Sequence, residues 1–80
     1  MKLAEIRKLV ESYDLDALAL AEQHLLEGEP LGIDVEGADE GELLTHIMAA
    51  MEVLKDVQDN GTDAKDALRN YTKRVRDSIS

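Results

Sequence analysis

The chain has no cysteine, which removes disulfides, thiolate metal sites and any direct part in thiol–disulfide exchange. A disulfide-stapled secreted scaffold is excluded with them. Phe and Trp are also missing, there is a single proline, and the aromatic content is two tyrosines. No apolar run approaches the ~18 residues that a membrane span requires, so nothing here is expected to cross a bilayer. The stretch Met1-Lys2-Leu3-Ala4-Glu5-Ile6-Arg7-Lys8 is amphipathic and lacks the continuous apolar centre of a signal peptide. A cytoplasmic location is the resulting expectation.

Positive charge is scarce and unevenly placed. Nine Lys and Arg stand against eighteen Asp and Glu, for a net charge of −9. Residues 9–54 contain twelve carboxylates and no Lys or Arg, whereas residues 1–8 and 55–80 are each slightly basic. A negative field of this size repels phosphate backbones and argues against nucleic acid as a partner. With 80 residues the chain makes one domain, and it buries only roughly 60% of the surface its unfolded form exposes. That leaves room for a thin apolar seam but little for a deep catalytic cleft.

Apolar spacing divides residues 1–80 into four helices. Over 2–13, Leu3, Ile6, Leu9, Val10 and Tyr13 recur on one face. A second helix, 15–27, begins at a cap from Asp14 or Asp16 and carries Leu18, Ala21, Leu25 and Leu26. Its centre is small and apolar on most sides, which suits close packing. Gly28 ends it, and Pro30 cannot continue it. Residues 28–39 are punctuated by Gly28, Pro30, Gly32 and Gly37 and read as a long acidic loop. Within it Leu31, Ile33 and Val35 alternate like a strand, but no second strand is present to pair with them. The third helix, 40–59, opens with an Asp39/Glu42 capping pattern and carries Leu43, Leu44, Ile47, Met48, Met51, Leu54 and Val57. Asn60-Gly61 closes it. Thr62 is the expected cap of the fourth helix, 63–78, whose apolar face is Ala64, Ala67, Leu68, Tyr71, Val75 and Ile79. Its terminal Lys73, Arg74 and Arg76 suit the negative end of the helix dipole. The short turn makes helices three and four an antiparallel hairpin. The fold expected is all-α, a compact bundle of four short helices with a long acidic loop between the second and third.

Several segments together resemble a family of unknown function made of small acidic helical bacterial proteins, of Bacteroidota type. They are the Met1-Lys2-Leu3 start, the mid-chain Glu29-Pro30, Met51-Glu52-Val53-Leu54, Asn60-Gly61-Thr62, Lys65-Asp66-Ala67-Leu68 and Lys73-Arg74-Val75. The likeness is better in the second half of the chain than in the first. The resemblance brings no activity with it. It implies genes that sit beside those of peroxiredoxins and thioredoxins and, with them, an accessory role, since a chain without cysteine exchanges no electrons with such proteins. The absence of Phe and Trp and several additional acids set this sequence apart from the family pattern.

No pattern of residues points to catalysis. His24 and His46 are the two histidines, and Glu27 and Glu42 fall at helical spacing from them. A site of His24, His46 and Glu42 across the bundle would suit zinc or iron, but both histidines lack the Glu-x-x-His spacing of bundle di-iron centres. The favoured reading is two partly exposed histidines without a metal. In the acidic loop, neither Gly37 nor Gly41 sets an EF-hand register that ends on a glutamate. Ser12, Ser78 and Ser80 lie in no nucleophile turn, and no phosphate-cradling glycine motif follows a strand. The expectation is a protein that is not an enzyme and holds no cofactor.

What remains is binding. Leu44, Ile47, Met48 and Met51 form an adaptable Leu/Met face that serves best as core. Leu31, Ile33 and Val35 are the candidate partner-binding residues, because an apolar group that does not fold back forms an exposed interface patch. The acidity has two readings, adaptation to a salty habitat or attraction to a basic partner, and its spread along the helices favours habitat. The function expected is a protein-binding or adaptor domain, monomeric or homodimeric. The alternatives are a small metal-binding protein using His24 and His46, and an obligate homodimer of structural role.

Overall fold

The computed structural model describes residues 2–79. Met1, Ser80 and the Ile79 side chain assigned to the fourth helix's apolar face lie outside the described residues.

The molecule is organised around its third helix, α3 (Glu40–Asn60). At ~1.5 Å per residue its 21 residues make it nearly as long as the fold's greatest extent, 32 Å. Three shorter helices pack on it: α1 (Leu3–Ser12), α2 (Leu15–Leu26) and α4 (Ala64–Ile79). Among the described residues no other pair of helices shares contacts of comparable extent. The residues that α3 turns inward explain how it carries three neighbours. Ile47, Val53 and the small pair Ala49 and Ala50 are all buried, and the two alanines let adjacent backbones approach closely. Ile6 and Leu9 of α1, Leu18 and Ala21 of α2, and Ala67 and Leu68 of α4 complete the core. Burial of each large aliphatic side chain contributes ~1.5–3 kcal/mol.

The helix ends follow local chemistry. Asp14 caps α2 by accepting from the Ala17 N–H at 2.8 Å. Asp39 caps α3 through the Glu42 N–H, while the Glu42 carboxylate reaches back to the Ala38 N–H at 3.2 Å. The end of α2 is a Schellman motif, with the Gly28 N–H bonded to the Leu25 carbonyl and the Glu29 N–H to His24. Gly28 supplies the left-handed backbone this needs, at φ +73°. Gly61 does the same for α3 at φ +65°.

Thr62 is not the cap expected for α4. Its hydroxyl donates to Asp56 Oδ1 at 3.0 Å, alongside Asn60 Nδ2 at 2.8 Å. Asp56 thus gathers the α3–α4 turn, and the Asn60 and Thr62 donors hold its carboxyl below the ordinary value against the effect of burial. Met48 also departs from the expected core face: it is half exposed, and His46 is fully buried in the interior alongside Ile47.

Candidate functional site

The segment between α2 and α3 lies against α1 and α3. Leu31, Ile33 and Val35 are partly buried against the core, so the exposed patch that would follow if they did not fold back does not form. Their alternation is that of a strand, and side chains take the place of the missing partner strand. Tyr13 Oη accepts from the Asp34 N–H at 2.9 Å, and Glu5 Oε1 accepts from the Glu36 N–H at 3.0 Å. His46 Nδ1 bonds the Glu36 carbonyl at 2.8 Å, and its Nε2 accepts the Lys2 N–H at 2.9 Å. Because Nε2 must accept, the ring proton sits on Nδ1 and donates to Glu36.

The expectation of a partly exposed His46 is therefore corrected: with no exposed surface, it joins the start of α1 to the loop. Glu5 is the second buried polar residue of this clasp. Burial pushes its carboxyl up, but the Lys8 ammonium at 2.7 Å and the Glu36 N–H outweigh it and hold the group below its ordinary value.

The three metal candidates are not brought into one site. Both nitrogens of His46 are committed to backbone groups, and Glu42 is committed to its cap. His24 is half-buried on α2, its Nδ1 shielded and without a hydrogen-bond partner. Among the described residues no group of three or more His, Asp or Glu stands in an arrangement that could hold a metal ion.

The feature that stands out as a binding surface lies on the other flank of α1. Between α1 and α4 runs a groove of about 840 Å³, within the size range of ligand-binding clefts. Leu3, Arg7 and Val10 come from α1 at i, i+4, i+7 spacing, the pattern of one helix face. From α4, Lys65, Arg69 and Lys73 recur at i, i+4, i+8, with Leu68 between them and Arg76 beyond. The apolar members, Leu3, Val10, Ala64 and Leu68, are flanked by five cations, and Glu11 is the single carboxylate lining the groove. Arg7, Lys65 and Lys73 make no ion pair among the described residues. Arg69 reaches Asp66 at 4.0 Å, with both side chains well exposed.

More than half of the nine Lys and Arg residues thus gather on one surface of a strongly acidic chain. The arrangement has the chemistry of recognition. Among the described residues that line the groove, the one hydroxyl, that of Thr72, is spent on the Leu68 carbonyl at 2.9 Å, and none is a histidine. It offers an apolar surface and a row of cationic donors able to make charge-assisted hydrogen bonds to carboxylates.

Sequence reasoning did not find this groove, because α1 and α4 lie at opposite ends of the chain and each reads alone as an ordinary amphipathic helix. The signal present was the confinement of all basic residues to 1–8 and 55–80, two blocks that packing on α3 sets side by side.

No helix among the described residues is long and apolar enough to cross a membrane. No curated protein and no solved structure matches the chain. The model of a family of unknown function (DUF6952) matches residues 1–80, and over that whole length the chain belongs to this family.

Proposed function

We propose that the protein is a small, non-enzymatic, cytoplasmic protein-binding module whose α1/α4 groove holds an acidic amphipathic helix of a partner protein. The observation that carries this reading is the charge inversion. A chain of net charge −9 places five of its nine cations around one apolar-floored groove. A helix laid there buries its apolar face on Leu3, Val10 and Leu68 and sets its carboxylates against the lysines and arginines, the helix-in-groove mode of recognition. The acidic remainder of the surface repels nucleic acid and membranes of anionic lipid, which narrows the anionic partners to those small enough to present charge only at the groove. This moves the contact from Leu31, Ile33 and Val35, whose partial burial against the core gives them a structural task.

The test is fluorescence anisotropy with a labelled helical peptide carrying Leu at i, i+3, i+4 and i+7 and Glu at the flanking positions. Its controls are a Lys-for-Glu version and a single-stranded oligonucleotide. Expected is saturable binding at a Kd on the order of tens of micromolar, weakened roughly tenfold or more by Arg69→Glu with Lys73→Glu and by raised salt. Binding of the oligonucleotide in preference to the peptide, or peptide binding indifferent to the double change, would overturn the reading.

A further inference from the structure

We infer that an occupant of the groove is a second copy of this chain, presenting the outer face of α2. The inference rests on the proposed reading that the groove takes an acidic amphipathic helix, and it names one such helix. Apolar residues occur on both faces of α2, but the fold covers only one of them. Leu18 and Ala21 are buried against the core, whereas Leu20 and Leu26 are 52% and 68% exposed. Ala19 and Gln23 lie exposed on the same outer face, and the exposed carboxylates of Asp16 and Glu27 stand at its two ends. An amphipathic helix ordinarily keeps its solvent face polar, whereas the outer face of α2 carries two large exposed leucines, and among the described residues α2 packs on no helix but α3 to a comparable extent.

The two uncovered surfaces complement each other. The face of α2 is apolar with acidic ends, and the groove is apolar with cationic edges. Their lengths also agree. At ~1.5 Å per residue, the 12 residues of α2 fall between the 10 of α1 and the 16 of α4 that wall the groove. Symmetric pairing of two α2 faces would instead set Asp16 and Glu27 of one copy against the same residues of the other, which like-charge repulsion disfavours. Seating α2 in the groove joins two different surfaces, so each added copy leaves one groove and one α2 face open. The contact is head-to-tail and propagates. A partner helix in the groove would compete with it, linking partner binding to the assembly state.

The experiment is sedimentation velocity of the full chain from about 10 μM to about 1 mM, at low and at high salt, beside the peptide titration described above. Expected is a weight-average mass that at least doubles over this range at low salt and returns towards 8.9 kDa at high salt. Two variants at exposed positions separate the surfaces: Arg69→Glu with Lys73→Glu in the groove, and Leu20→Ser with Leu26→Ser on α2. Each alone should stay monomeric, and a mixture of the two should form a dimer and nothing larger, because one intact groove then meets one intact face. The α2 variant should still bind the acidic peptide. A wild-type chain that stays monomeric throughout overturns the inference while leaving the groove reading intact if the peptide binds. Association that survives either double change also overturns it. Failure of the peptide to bind removes the groove reading itself.

Discussion

The two flanks of α1 are finished in opposite ways. On one, Glu5, Lys8 and Tyr13 reach the loop: Tyr13 and Glu5 accept its backbone N–H groups, Lys8 sits 3.7 Å from Asp34, and His46 joins the loop to the start of α1. On the other, Leu3, Arg7 and Val10 face a groove whose opposite wall is α4. The first flank spends its polar groups on the chain's own backbone, and the second leaves Arg7, Lys65 and Lys73 without an ion pair among the described residues, beside apolar surface. A polar group committed internally stabilises the fold; one left uncommitted beside apolar surface is available to a ligand. Substitutions on the two flanks should therefore produce different phenotypes.

The largest effect is expected at His46. His46→Ala strips the Lys2 N–H and the Glu36 carbonyl of their partner and leaves a cavity in the core. The unmet hydrogen bonds and lost packing together cost about 3–4 kcal/mol, to be read from the denaturant midpoint. Glu5→Gln comes next, at about 1–2 kcal/mol, because it removes the charge that Lys8 and the Glu36 N–H both use. Tyr13→Phe deletes one exposed hydrogen bond to Asp34 and should cost about 1 kcal/mol or less. Gly61→Ala, at φ +65° with open space around it, should cost about 1 kcal/mol from backbone strain alone. Smallest of all on stability is the groove: Arg69→Glu with Lys73→Glu should stay within about 0.5 kcal/mol of wild type while weakening peptide binding roughly tenfold or more.

Acid should loosen the clasped flank and the α3–α4 turn. Glu5 and Asp56 both have carboxyls held below their ordinary values of 4.5 and 3.8. Each therefore contributes stability that is fully present above its ordinary value and is lost as pH falls through the lower folded one. Glu5→Gln should flatten the acid limb of the stability profile measured by thermal melts. Groove variants should leave that limb unchanged.

Much of the architecture was legible in the sequence because it is local. Asp14, the Asp39/Glu42 pair, Gly28 with Pro30, and Gly61 each act within a few residues of their own position, so spacing alone indicates the helix boundaries. The clasp was not legible. Nothing about His46 within its own helix distinguishes a surface histidine from one satisfied by the backbone of residues 2 and 36, which are remote in the chain. Thr62 was misassigned for a different reason: α4 begins at Ala64, so the cap position falls on residue 63 rather than 62, and the Thr62 hydroxyl instead donates to Asp56 six residues back. Leu31, Ile33 and Val35 signalled an apolar stripe correctly, but whether a stripe is covered depends on Tyr13 and Glu5 supplying hydrogen bonds that a partner strand would otherwise provide. The groove depended on the approach of the two ends of the chain across α3. Block charge hinted at it, and only the packing made it a surface.

The most direct test of this account is a backbone amide chemical-shift map of the chain titrated with the acidic amphipathic peptide. The groove account expects the perturbed amides to cluster at residues 3–11 and 64–76, with those of residues 31–36 unmoved. Perturbation centred on Leu31, Ile33 and Val35, with α4 silent, would contradict it and return the contact to the loop.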